Sequence, residues 1–251
     1  METLYKSILM VHVAFGFTSL TTGLVPMFAK KGGKTHNFWG NIYFWAMFGV
    51  FATTIMLFCI KPTEVKLQFF LNIAILSFYQ TYTGRRILSL KKSVLNATNF
   101  DKIVAYLGFL CGLTMIGYAV YCFMKGYEQL PILFAVFGTG IGITAFKDIQ
   151  LFNGLVDAEK MHWFFHHIAR MIGSYTASVT AFCVNMTRFL PENSPTWAYL
   201  LPWFLPGILL GIASDYMRNR QREQMNLAPK YGFITKIIRK LLVKEPLVET
   251  I

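Results

Sequence analysis

The sequence predicts an all-α integral membrane protein, a bundle of seven transmembrane helices. Of its 251 residues, 55% are hydrophobic and only 14% are charged, and the mean hydropathy is positive, unlike a typical soluble domain. A helix needs about 20 mainly apolar residues to cross a bilayer core, and seven stretches meet this requirement. They lie near Ser7–Ala29, Phe38–Ile60, Leu67–Leu88, Ile103–Met124, Pro131–Asn153, Trp163–Phe189 and Trp197–Tyr216. Runs of this length argue against a β-barrel, whose strands are short and alternate in hydrophobicity.

Basic residues are crowded onto alternate connections between these stretches. Of the 24 Lys and Arg residues, 19 fall at one set of ends. The other set carries Lys6, Lys61, Lys66, Lys125 and Arg188. The positive-inside rule makes the richer side cytoplasmic, so we expect the N-terminus outside and the C-terminus inside. The net charge of +12 then reflects topology and attraction to anionic lipid, and nucleic-acid binding is not expected.

The predicted domain organisation is a seven-helix transmembrane domain over residues 1–216 and a cytoplasmic basic tail over 217–251. Within the tail, residues 230–244 have the pattern of a basic amphipathic helix, suited to lying on an anionic leaflet. Its apolar positions are Phe233, Ile234, Ile237, Ile238, Leu241 and Leu242, and its basic positions include Lys236, Arg239, Lys240 and Lys244.

Four of the five histidines fall at ends of the apolar stretches on the basic side. They are His36, His162, His166 and His167, whereas His12 lies near the outer face. Ionisable groups at membrane depth are functional candidates, although such side chains at helix ends also extend to lipid headgroups without any ligand.

Helical spacing divides these histidines between two faces of the sixth helix. Glu159, His162 and His166 would form one row if that helix begins near Asp157. His167 is expected on a neighbouring face, together with Arg170 and Met171. Asp148 lies on the otherwise apolar fifth helix and requires a partner, for which the candidates are Lys147, Arg85, Arg86 and Arg170.

One hypothesis is a single b-type haem between helices two and six. His36 and either His167 or His166 would be its axial ligands, and Arg85 and Arg86 would neutralise its propionates together with lysines of the 30–34 loop. Lys34-Thr35-His36, following His12, weakly resembles the cytochrome b561-like class. Helices three, four and five contain no histidine, which departs from the paired two-haem arrangement of that class, so one haem at most is expected.

A second hypothesis is a zinc site with an open position for water, as in a membrane hydrolase. Its ligands would be some of His36, Asp148, Glu159, His162, His166 and His167. The His162-x-x-x-His166 spacing is similar to that of the seven-helix ceramidase and progestin-receptor-like hydrolases, which gather histidines and an acidic residue at one membrane level but set the His pair in their last helix.

The most extensive resemblance is to a large family of bacterial predicted membrane proteins of unknown function. The residues that carry it are His12-x-x-x-Gly16 with Gly23, Lys31-Gly32, His36-x-x-x-Gly40, Gly84-Arg85, Asp148 and His167-x-x-Arg170-Met171. This resemblance covers all seven helices but not the tail. It implies a multi-pass protein of the bacterial inner membrane whose functional positions are His12, His36, Asp148, His167 and Arg170, and it implies no particular activity.

A third hypothesis needs no cofactor: a membrane subunit, an assembly factor or a small-solute transporter. It would involve a membrane protein partner or a homo-oligomer. Whether the protein is an enzyme is left open by the sequence.

Overall fold

The computed structural model describes residues 2–191 and 193–243, and all regular secondary structure in this part of the chain is helical. The α-helices of these residues are α1 (Glu2–Phe28), α2 (Lys34–Ile60), α3 (Val65–Arg86), α4 (Asn99–Met124), α5 (Leu130–Phe152), α6 (His162–Met186), α7 (Thr196–Gln224) and α8 (Phe233–Val243). Short 3-10 turns lie at Ile87–Leu90, Val94–Asn96 and Thr187–Phe189.

Helices α1 to α7 coincide with the seven predicted apolar stretches. Five of them, α1, α2, α4, α5 and α7, are long and apolar enough to cross a membrane. Helices α3 and α6, with 22 and 25 residues, have sufficient length but are not among those five. The all-helical class is therefore confirmed for the described residues, and several of their helices are long and apolar enough to cross a membrane.

Several polar residues in the middle of α3 are buried within the protein. Asn72, Ser77 and Thr81 are all buried, and Thr81 is 0% exposed. Each side chain donates a hydrogen bond to a carbonyl one turn earlier in the same helix, which satisfies a donor that would otherwise be costly in an apolar interior. The low hydropathy of α3 is therefore compatible with a position among other helices.

Glycines allow the closest approach between α4 and α5. A Cβ atom on Gly112 would lie 2.8 Å from the Cα of Gly142 and 2.9 Å from the carbonyl oxygen of Gly138. A Cβ on Gly138 would lie 2.7 Å from the Cβ of Met115. The two backbones therefore touch, as in small-residue helix interfaces of membranes.

The chain divides into two compact units, residues 1–178 and residues 179–251. The first contains α1 to α5 and the first part of α6, and the second contains the end of α6 with α7 and α8. Helix α7 continues to Gln224, beyond the predicted end at Tyr216. Helix α8 lies within the predicted tail segment of residues 230–244, of which Lys244 and the side chains of Phe233, Ile234, Leu241 and Leu242 lie outside the described residues.

Candidate functional site

His36 is positioned by the short connection between α1 and α2. Its Nδ1 lies 3.0 Å from the carbonyl oxygen of Pro26 in the last turns of α1. Since a carbonyl can only accept, Nδ1 carries the proton and donates. The ammonium of Lys31 donates to the same Pro26 carbonyl at 2.9 Å and to that of Met27 at 2.6 Å, which caps the end of α1. Partial desolvation lowers the pKa of Lys31 from its ordinary value.

His167 is anchored in the same way on α3. Its Nδ1 lies 2.7 Å from the carbonyl oxygen of Gly84 and donates to it. Helices α3 and α6 come close here because Gly84 has no side chain: a Cβ would lie 2.8 Å from the Cβ of Arg170. Gly84 therefore brings its own carbonyl within reach of the histidine.

The structure brings His36 and His167 together. Their ring centroids are 6.2 Å apart and their planes meet at 62°. Both rings hold the proton on Nδ1, so each Nε2 presents a lone pair. Neither Nε2 makes a hydrogen bond within the described residues. Histidines that bind metals show this arrangement, with one nitrogen fixed by a backbone carbonyl and the other free to coordinate.

Asp148 lies in a second cluster, between α3, α5 and α6. Its side chain is fully buried. Tyr79 Oη donates to Asp148 Oδ2 at 2.5 Å, and Arg170 Nη2 donates to Oδ1 at 2.6 Å. Arg170, only 7% exposed, also donates from Nη2 to the carbonyl of Thr144 at 3.2 Å. The predicted requirement of Asp148 for a basic partner is thus met by Arg170.

His166 belongs to this second cluster. Arg170 Nε donates to His166 Nε2 at 3.0 Å, so that nitrogen is an acceptor. This nitrogen lies 3.4 Å from Asp148 Oδ1. Because both atoms are acceptors in this tautomer, they do not form a hydrogen bond. Arg170 was expected on the face of His167, but its guanidinium turns to the face of His166 because Asp148 lies there.

Arg85 and Arg86 point to different partners. Arg86 forms a two-bond pair with Asp101, at 2.7 Å from Nε and 2.9 Å from Nη2, and Asp101 also completes the N-terminal capping box of α4 with Thr98. Arg85 Nη1 donates to Asn41 at 3.0 Å, and its guanidinium lies over the ring of Phe44. Arg86 is therefore already neutralised, whereas Arg85 has no acidic partner within the described part of the chain.

The remaining histidines lie apart from the His36–His167 pair. His162 is the first residue of α6, preceded by Met161 with a positive φ of 61°, so Glu159 lies before the helix and the predicted row of three does not form. The Nε2 of His162 is buried without a hydrogen bond. His12 Nδ1 lies 2.9 Å from Thr53 Oγ1 of α2.

No protein-family model, curated protein or solved structure matches this chain. The chemistry of the site therefore has to be argued from its own geometry.

Two features were not predicted from the sequence. They are the hydrogen bond of Tyr79 to Asp148 and a second polar contact, one turn after Arg170 in α6. Thr81 donates to the carbonyl of Ser77, so Ser174 donates to Thr81 and Tyr43 donates to Ser174, each across 2.5 Å. This chain of hydroxyls links α2, α3 and α6. No pattern in the sequence distinguishes Tyr79 or Tyr43 from the other tyrosines, because aromatic residues are frequent throughout.

The two clusters differ in what they can bind. Both carboxylate oxygens of Asp148 already accept strong hydrogen bonds, and His166 Nε2 faces a guanidinium, so this group does not suit a cation. Among residues 2–191 and 193–243, no group of three or more His, Cys, Asp or Glu is placed to hold a metal ion. The His36–His167 pair, by contrast, offers two nitrogen donors, with Lys31 within electrostatic range of both rings.

Proposed function

We propose that this chain is a membrane-embedded redox protein that binds a single b-type haem, whose iron His36 of α2 and His167 of α6 would hold. The observation that carries the proposal is the pair itself: two imidazoles from distant parts of the sequence, each with Nδ1 fixed on a backbone carbonyl and Nε2 free. A haem needs only two protein ligands, because the porphyrin supplies the other four.

The spacing of the two rings supports this ligand pair. Two histidines can hold one metal ion only when their rings are close neighbours, because an imidazole nitrogen binds a metal at roughly 2 Å. The centroids of His36 and His167 are 6.2 Å apart. A catalytic zinc site would instead need a third protein ligand.

Cationic groups near the pair suit the two propionates of a haem. We assign this role to Lys31 and Arg85, because Arg86 is paired with Asp101. Arg170 acts through its bond to Asp148, which fixes the rotation of α6 and so the direction of His167. When bound, the haem would supply one-electron transfer within the bilayer.

The proposal includes the finer topology. We take α3 and α6 as two further spans, giving seven, since polar side chains of both helices bond within the protein. The connections before α2 and after α3 are rich in Lys and Arg, which favours a cytoplasmic site and an external N-terminus. The proposed location is the inner membrane of a bacterium.

The test is the absorption spectrum and metal content of the full chain, purified in detergent after expression with haem supply. We expect a Soret band that is lost in His36→Ala and in His167→Ala, because each variant removes one axial ligand. The matched controls, His12→Ala and His162→Ala, should retain it.

Three results would contradict the proposal. A Soret band that survives both ligand substitutions would place the haem elsewhere. A colourless protein with one zinc per chain would favour the hydrolase hypothesis, for which the unpartnered His162 Nε2 is the supporting feature. A colourless, metal-free protein that co-purifies with another membrane protein would favour a cofactor-free subunit.

A further inference from the structure

The C-terminal helix α8 carries exposed cations beside an exposed apolar side chain. Lys236, Arg239 and Lys240 are exposed, and Ile237 is 43% exposed. Between Met217 and Val243 the sequence holds seven basic residues and one acid. They are Arg218, Arg220, Arg222, Lys230, Lys236, Arg239 and Lys240, with Glu223. A basic amphipathic helix of this kind is suited to an anionic lipid surface, provided that it lies near one.

Helix α7 places its own C-terminal end at such a surface. It has 29 residues, which is about 43 Å of helix at about 1.5 Å per residue, whereas a hydrocarbon core is about 30 Å thick. Its apolar part ends near Ala213, and from Asp215 onward it is rich in charged and polar residues. The last turns of α7 therefore emerge from the hydrocarbon core.

The connection after α7 folds back along those last turns. Arg222 Nε donates to the carbonyl of Ala228 at 2.7 Å, the backbone N–H of Lys230 donates to Asn219 Oδ1 at 2.8 Å, and the backbone N–H of Gly232 donates to Asp215 Oδ2 at 2.6 Å. The successive partners in α7 are Arg222, Asn219 and Asp215, each closer to the start of that helix.

This reversal returns the chain to the level where the apolar part of α7 ends. Asp215 is 4% exposed, and a Cβ on Gly232 would lie 2.8 Å from its carboxylate, so the glycine permits this close contact. Without it, a connection of this length could leave α8 free in the aqueous phase. With it, α8 begins at the edge of the hydrocarbon core.

We infer that α8 lies on the anionic phospholipid headgroups of the same membrane that α7 crosses, held at that level by the bond between Asp215 and Gly232. The cations face the headgroup phosphates, and Ile237 enters the boundary with the acyl chains. The inference does not depend on a haem, and it shares with the proposed function only the premise that α7 crosses a membrane.

The test uses spin labels on the full chain in nanodiscs of zwitterionic or of mixed anionic lipid. Labels are placed at Ile237→Cys and, as the matched control, at Thr235→Cys, about 200° away around the helix. Cys59 and Cys183 are replaced by Ala to avoid stray labelling. In anionic discs, the label at position 237 should collide more with dissolved oxygen and several-fold less with a water-soluble nickel complex than the label at 235.

Variants that remove the cations of α8, or the bond between Asp215 and Gly232, complete the test. Neutralising Lys236, Arg239 and Lys240 to Gln should abolish the difference between positions 237 and 235, whereas neutralising Lys61, Lys66 and Lys125, an equal loss of charge elsewhere, should preserve it. Asp215→Ala should weaken the difference. Equal nickel accessibility at 235 and 237 in anionic discs would overturn the inference, as would dipolar broadening that shows α8 bound to a second copy of the chain.

Discussion

Replacing Asp148 with Ala is expected to lower the free energy of unfolding by about 3–5 kcal/mol. The substitution would leave the guanidinium of Arg170, only 7% exposed, buried without its counter-charge. Tyr79 would also lose the acceptor of its 2.5 Å hydrogen bond. Denaturant titration of the detergent-solubilised protein, followed by circular dichroism, measures this loss.

Two variants show whether the loss comes from the uncompensated charge. The double replacement Asp148→Leu with Arg170→Met removes both charges and should recover most of the stability, because a buried ion pair contributes little beyond apolar residues of similar volume. Asp157→Ala, in the exposed connection before α6, should change stability by less than about 0.5 kcal/mol. An Asp148→Ala protein as stable as the wild type would contradict the assigned role of the carboxylate.

Replacing Gly112 with Ala is expected to destabilise the protein by about 1–3 kcal/mol. The added methyl group would lie 2.8 Å from the Cα of Gly142 and 2.9 Å from a carbonyl oxygen. Both neighbours are backbone atoms and cannot rotate away, so α4 and α5 would have to separate. The same unfolding titration detects this change.

Gly117 provides the control on the same helix. A Cβ there meets nothing within 4 Å, so Gly117→Ala should leave stability unchanged or raise it by up to about 1 kcal/mol, since Ala favours the helical backbone. Equal effects of the two substitutions would show that the close contact of α4 with α5 does not contribute to stability.

The networks around His36 and His167 connect stability to the proposed redox function. Arg170 and His167 are three residues apart on α6, and Gly84 contacts both. Its carbonyl accepts the hydrogen bond of His167, and its lack of a side chain lets the Cβ of Arg170 come close. The Asp148–Arg170 pair fixes this part of α6 against α5, and the hydroxyl chain through Ser174 fixes the next turn against α2 and α3. Both contacts lie on the C-terminal side of His167 and fix the rotation of the helix that carries it.

Much of this arrangement could be predicted from residue types alone. Long apolar runs predicted α1 to α7, because a helix is the form in which a continuous segment satisfies its own backbone groups in lipid. The charge of Asp148 predicted a basic partner, and the positions of His36 and His167 predicted a shared membrane level. Hydropathy indicated a membrane span less clearly for α3 and α6, because both helices contain polar side chains that form hydrogen bonds within the protein.

The sequence by itself determined which segments are helical, at which end the basic residues collect and which side chains are candidates for a functional site. Only the tertiary structure decided how each helix is rotated. The rotation of the helices brought Arg170, among four candidates, to Asp148 and placed His166 and His167 in different clusters. The path of the connection after α7 brought Gly232 to Asp215. The physical reason is that hydropathy and spacing act along one helix, whereas rotation depends on where neighbouring backbones can touch and where buried polar groups find acceptors.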